Sequence, residues 1–173
     1  GVSGMTSLLL DTDLDPEQRD YAQTVHHSAN ALLVLLNDIL DLSKIEAGRM
    51  ELESIPLNLR ETVAEATRLL GVAATGKGLE LLCRIAPDVP TNLLGDPSRL
   101  RQIVVNLVGN AIKFTDSGSV TLQVSSSPVG TGENMLLFKV TDTGIGIGAD
   151  AIEKIFKPFQ QADDTVHNRF GGS

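Results

Sequence analysis

Apolar positions between residues 16 and 47 recur with the period of a helix face. Val25, Leu32 and Ile39 stand seven apart, and Leu35 and Leu42 repeat in step. Leu33, Leu36 and Leu40 widen that stripe beyond a two-stranded seam. The start is marked by Asp15-Pro16-Glu17-Gln18, with Asp15 as cap, Pro16 at the first position and Gln18 able to close a capping box. Gly48 is the expected stop, just past Ala47. Residues 1–10 read as the tail of an earlier helix, joined by the polar link Asp11 to Asp15. A wide apolar face on a long helix suits a four-helix bundle, so two antiparallel helices per chain call for two chains.

Beyond Gly48 the pattern changes. Met50 to Ile55 predicts a strand ended by Pro56, and Asn58 with Glu61 predicts a capping box opening a helix to about Thr75. Gly76-Lys77-Gly78 breaks that helix; Leu79 to Ile85 reads as a strand, Ala86 to Pro90 as a turn, and Asn92 to Gly95 as a short extended segment. Asp96 and Pro97 then open another helix. On it Ile103, Leu107, Asn110 and Phe114 share one side, with Leu100, Val104 and Ala111 beside them. Val120, Leu122 and Val124 alternate as a half-buried strand from Ser119 to Ser127; Pro128 to Asn134 is a hairpin link, and Met135 to Thr141 its partner strand. Helices set between antiparallel strands predict an α+β two-layer sandwich.

Composition narrows the classes. The chain has 173 residues, 42% apolar and 21% charged, which leaves room for one domain and a smaller appendage. With no Trp, the core must be built from Leu, Ile and Val. A net charge of −8 argues against a general nucleic-acid surface. Cys83 is single, lies in an apolar strand, and reads as a small buried residue in a reduced compartment. No Cys/His ligand spacing occurs, and no apolar run reaches the length of a membrane span.

Several polar residues interrupt the apolar pattern. Asn106 and Asn110 are four apart on one helix surface, with Lys113 adjoining. A carboxamide oxygen suits a magnesium ion that already carries phosphate oxygens and water, and an ammonium beside it offsets triphosphate charge. Local helix-surface hydrogen bonding explains the asparagines equally well when they are taken alone. The strand to Val140 ends at Asp142, which can accept from an exocyclic amine, and Gly144 and Gly146 follow. Next come Phe156 and Phe159 flanking Pro158, then Arg169, Gly171 and Gly172 in a glycine loop. The glycines at the two ends suit a segment that closes over a ligand. His26 and His27 have no adjacent acid and read as helix residues at or near the bundle surface.

In order and spacing these segments closely resemble the catalytic region of sensor histidine kinases. The N box matches at Asn106, Leu107, Asn110, Ala111, Lys113, Phe114 and Thr115, the first glycine box at Asp142, Gly144, Gly146 and Ile147, and the F box at Phe156, Pro158 and Phe159. Arg169 to Ser173 is similar to the opening of the second glycine box. The resemblance implies ATP and Mg2+ as cofactors. Asn110 would be the metal ligand, Asn106 its support and Lys113 a phosphate contact; Asp142 would read adenine, with Gly144 and Gly146 giving the base room. Arg169 would reach phosphate. Phe156 and Phe159 would dock a lid that Gly171 and Gly172 help close.

The resemblance also implies a domain plan: a dimerisation hairpin over residues 1–48, half of a dimeric four-helix bundle, then an ATP-binding two-layer sandwich over residues 49–173 that stops within the second glycine box. The family's phosphoacceptor histidine would precede Gly1, so this stretch alone is expected not to autophosphorylate. The implied partners are a second copy, through the hairpin, and a response-regulator receiver domain, with no nucleic acid and no direct membrane contact. The implied location is cytoplasmic, in a parent protein free to be membrane-anchored. The rival readings are an ATP-hydrolysing or ATP-switched relative of gyrases and heat-shock chaperones, and a non-catalytic dimerising nucleotide-binding module. Hydrolysing relatives place a glutamate four residues before the metal-binding asparagine; here that position is Asn106, which cannot serve as a general base.

Overall fold

The computed structural model describes residues 1–129, 133–148 and 152. Its internal contacts divide the chain into two units, Gly1–Glu51 and Leu52 onward.

The first unit is a helical hairpin of α1 (Val2–Leu10) and α2 (Pro16–Glu46). The capping box predicted for α2 forms in full: Gln18 N donates to Asp15 Oδ1 at 2.8 Å, and Asp15 N donates to Gln18 Oε1 at 3.2 Å. Gly48 ends the helix as expected, at φ +64°, with Gly48 N bonded to Ile45 O and Arg49 N to Lys44 O. The helices meet at small residues, Thr6 and Ala22, both buried. Thr6 Oγ1 lies 2.9 Å from Val2 O, to which it can donate, and 3.0 Å from His26 Nδ1, with which it shares a hydrogen bond. Ser3 Oγ donates to Asn30 Oδ1 at 2.6 Å. With nine residues against 31, α1 cannot cover the second half of α2. There Leu32, Leu33, Leu36, Ile39 and Leu40 are all exposed.

The second unit runs β1 (Ile55–Asn58), α3 (Leu59–Gly76), β2 (Glu80–Ile85), β3 (Asn92–Gly95), α4 (Pro97–Lys113), β4 (Ser119–Val129) and β5 (Glu133–Asp142). Among the described residues β1 pairs with β3, and β2-β4-β5 make a three-stranded sheet. Helices α3 and α4 cover one face of it. The core is Leu59, Val63, Ala66 and Ala74 of α3, Val104, Val108, Ala111 and Ile112 of α4, and Val120, Leu122 and Val124 of β4. The class is α+β, as the sequence predicts.

Five local expectations change. No strand covers 50–54; β1 begins at Ile55 and contains Pro56, opposite Leu94. A proline is tolerated there because, among the described residues, β1 pairs with β3 alone and leaves its other edge unpaired. At α3 only half of the capping box forms: Glu61 N donates to Asn58 Oδ1 at 3.2 Å, while Asn58 itself still belongs to β1, opposite Asn92. Strands β2 and β4 are parallel, with Leu81 beside Val120 and Ile85 beside Val124. Alternation within a strand does not encode direction, and the crossover through α4 is what permits a parallel pair. Pro128, expected in a link, lies in β4 opposite Asn134, past the point where β2 ends at Val124. Cys83 is exposed rather than buried. It rims a cavity of about 380 Å3 between α3 and β2, and the partial burial of its thiol raises the pKa.

Candidate functional site

Helix α4 carries most of the predicted site, and both of its ends are held. At the N-terminus Asp96 caps as predicted, with Arg99 N donating to Oδ1 at 3.0 Å. Its other oxygen accepts from Glu53 N at 3.3 Å, tying the extended segment before β1 to the start of the helix. The Arg99 amide, helped by those of Glu53 and Ser98, holds the Asp96 carboxyl below the usual carboxylate range. The buried stripe of α4 is Val104, Val108, Ala111 and Ile112, and Val108 is 0% exposed. Ile103 and Leu107, expected on the apolar side, are 55% and 47% exposed. They share a side with Asn110, as their spacing predicts, but that side is exposed, Asn106 and Asn110 included. Apolar spacing defined two overlapping stripes on this helix, and only contact with the sheet selects between them.

The last turn of α4 is joined to the turn after β5. Lys113 is half-buried, its ammonium 5.5 Å from the centre of the Phe114 ring. Thr115 is fully buried and donates from Oγ1 to Ala111 O at 2.7 Å. Ile145 N donates to Phe114 O at 3.3 Å. Asp142 ends β5 and accepts from Gly144 N on Oδ1 at 2.9 Å, a side-chain-closed turn. A Cβ on Gly144 would fall onto the Phe114 carbonyl oxygen and within 2.9 Å of Thr115 Oγ1. Gly144 is therefore required by the approach of the α4 end rather than by positive φ, which is the condition of Gly146 (φ +70°). Asp142 is exposed, not buried at its strand end.

The last turn of α4, which carries Asn110 and Lys113, thus meets the turn of Asp142, Gly144 and Gly146 through Phe114 and Thr115, with Asn106 one helical turn back from Asn110. Phe156, Phe159, Arg169, Gly171 and Gly172 lie outside the described residues. The cavity between α3 and β2 contains none of the predicted residues. Two residues of the region went unselected by sequence reasoning. Thr143 Oγ1 accepts from Ser119 N at 3.1 Å and donates to Ser117 O at 3.2 Å, bracing the turn against the start of β4. Lys77 donates from Nζ to the carbonyls of Ile112 (2.9 Å) and Lys113 (2.8 Å), with Thr115 O at 3.4 Å. Its signal, a lysine at a helix end, is too common to select it.

Residues 1–48 match the family model of the His kinase A (phospho-acceptor) domain. Residues 95–173 match that of the histidine kinase-, DNA gyrase B- and HSP90-like ATPase. The chain belongs to the sensor histidine kinases. The signal transduction histidine-protein kinase BarA of Escherichia coli is 47% identical over 173 residues, all of this chain and 19% of BarA. The sensor histidine kinase GacS of Pseudomonas protegens is 42% identical, again over the whole chain and 19% of that protein. This histidine kinase chain therefore spans about a fifth of the curated relatives it matches. Full-length ShkA, solved in complex with AMPPNP, is similar with a TM-score of 0.75 and 38% identity, over 94% of this chain and 34% of that one.

Proposed function

We propose that this histidine kinase chain is the dimerising and ATP-binding part of a two-component sensor kinase. It would serve transfer of the γ-phosphoryl group of ATP to a histidine outside residues 1–173, and from there to an aspartate on a response-regulator receiver domain. The observation that carries the reading is the junction of the last turn of α4 with the Asp142–Gly146 turn. It supports one nucleotide held with its phosphates toward Asn110 and Lys113 and its base toward Asp142.

The negative end of α4 fits a cation better than a bare phosphate. Among the described residues no three His, Cys, Asp or Glu side chains form a metal site. A magnesium ion arriving with the nucleotide fits a donor set in which Asn110 gives one carboxamide oxygen. Bound there, magnesium would neutralise charge on the phosphoryl oxygens during transfer. Lys113 adds a positive charge beside it, and Asn106, which cannot activate water as a base, favours transfer over hydrolysis. Asp142 keeps one carboxylate oxygen on Gly144 N, and the other would accept from an adenine amine. Phe156, Phe159, Gly171 and Gly172 keep the lid roles that the resemblance implies and Arg169 its phosphate contact, and the ATP-binding unit is taken as residues 49–173.

Neither His26, which lies 3.0 Å from Thr6 Oγ1, nor His27 has an acid adjacent in sequence, so we take neither as the acceptor. The exposed face of α2 supports a homodimer built through the hairpin. No described helix is long and apolar enough to cross a membrane; we take the working location to be cytoplasmic. The test is calorimetry of Mg-ATP binding to the chain and to Asn110→Ala. Magnesium-dependent binding should be lost in the variant with the fold kept, because the side chain is exposed. Equal affinity in both would remove Asn110 from the site, and labelled phosphate on His26 or His27 would overturn the acceptor assignment.

A further inference from the structure

Helix α3 ends at Gly76, and the next residue sends its side chain across to a different helix. The Lys77 ammonium sits against the carbonyls of Ile112 and Lys113, with that of Thr115 at 3.4 Å. These belong to the end of α4, whose final carbonyls have no partner inside the helix and carry its negative pole. A cation there satisfies acceptors and offsets that pole at once. The same few residues hold the rest of the junction: Lys113 bears the candidate phosphate contact, Phe114 O accepts from Ile145 N, and Thr115 lies against Gly144. The backbone around Lys77 is held on both sides: Lys77 N donates to Ala73 O and Ala74 O, Leu79 N to Ala74 O, and Glu80 N to Gly118 O at the start of β2.

We infer that Lys77 is a positioning residue of the nucleotide site. Clamping the end of α4, it sets Asn110 and Lys113 in register with the Asp142–Gly146 turn and lessens repulsion between the helix pole and nucleotide phosphates. This inference rests on the nucleotide reading above, and its role is indirect: Lys77 itself faces backbone, not ligand. Methionine in its place keeps the length and loses charge and donors; arginine keeps both.

The experiment uses the chain as it stands, with Lys77→Met, Lys77→Arg and Asn110→Ala, at a temperature where all remain folded by circular dichroism. Two quantities are read: affinity for Mg-AMPPNP by calorimetry, and hydrogen exchange of the Ile145 amide by NMR without nucleotide. Lys77→Met should weaken binding about tenfold, the scale of one hydrogen bond from a charged donor, and should speed Ile145 exchange relative to core amides such as that of Leu122. Lys77→Arg should restore most of both. A Lys77→Met chain that binds within twofold of the parent, while Asn110→Ala binds none, overturns the inference and leaves the site reading standing. Binding unaffected in Asn110→Ala, or absent from the parent, overturns the site reading. In that case unchanged Ile145 exchange in Lys77→Met overturns the clamp as well, and faster exchange retains it as a clamp of the junction alone. A loss of stability without change in either quantity would reduce Lys77 to an ordinary helix cap.

Discussion

Gly144 shows what a single position can demand. Its nearest neighbours are the Phe114 carbonyl, which is backbone, and the buried Thr115 Oγ1, which is bonded to Ala111 O, with Asp142 Oδ1 next at 3.0 Å. Gly144→Ala should therefore destabilise the second unit by about 1–3 kcal/mol, the usual cost of overpacking a fitted site. Urea denaturation followed by circular dichroism would measure it, and an unchanged midpoint would show that the α4 end is free to retreat. In the sequence Gly144 was legible as a glycine of a binding turn, but for another reason: room for a ligand. The reason found here, contact with a helix 30 residues earlier, is not local and leaves no mark in spacing. Asn110 and Lys113 were legible because polar residues on an apolar helix need explaining. Lys77 was not, since a lysine at a helix end is ordinary until its acceptors are known.

At the scale of the element, α4 is set between two charged caps, Asp96 at one end and Lys77 at the other. The ionised Asp96 carboxylate accepts the amides more strongly than the neutral acid does, so folding lowers its pKa below the ordinary 3.8. Its contribution is complete above that value and is lost as pH falls through the lower folded value. The stability difference between the parent and Asp96→Asn should hence be constant near neutrality and shrink below about pH 4. Thermal melts of both proteins across pH 2.5–7 would test this; a gap that persists at the acid end would mean the carboxylate charge is not what the cap supplies. The helix start was readable because capping involves residues within a few positions of one another. The orientation of α4 was not. Ile103 and Leu107 satisfy helical periodicity as well as Val104 and Val108 do, and burial of the latter pair was decided by the sheet beneath.

For the whole molecule the open question is what covers α2. Leu32, Leu36, Ile39 and Leu40 line its second half, exposed and beyond the reach of α1. Sedimentation equilibrium should find a dimer in solution. Leu36→Asp should weaken it at least about a hundredfold, since burying each leucine is worth roughly 1.5–3 kcal/mol and two copies are lost together. A chain that sediments as a monomer, or a dimer indifferent to this change, would place the association elsewhere.

Taken alone, the order of residues determined whatever depends on near neighbours: the helix caps at Asp15, Asn58 and Asp96, the stop at Gly48, the alternation of β4, and the chemical types that mark the site. Only the folded chain decided the parallel pairing of β2 with β4, the choice between two apolar stripes on α4, the exposure of Cys83 and Asp142, and the clamp from Lys77. The division has one physical cause. Caps, turns and periodicity act over one or two turns of chain, whereas strand direction, burial and the approach of distant backbone arise from packing between segments that are far apart in sequence.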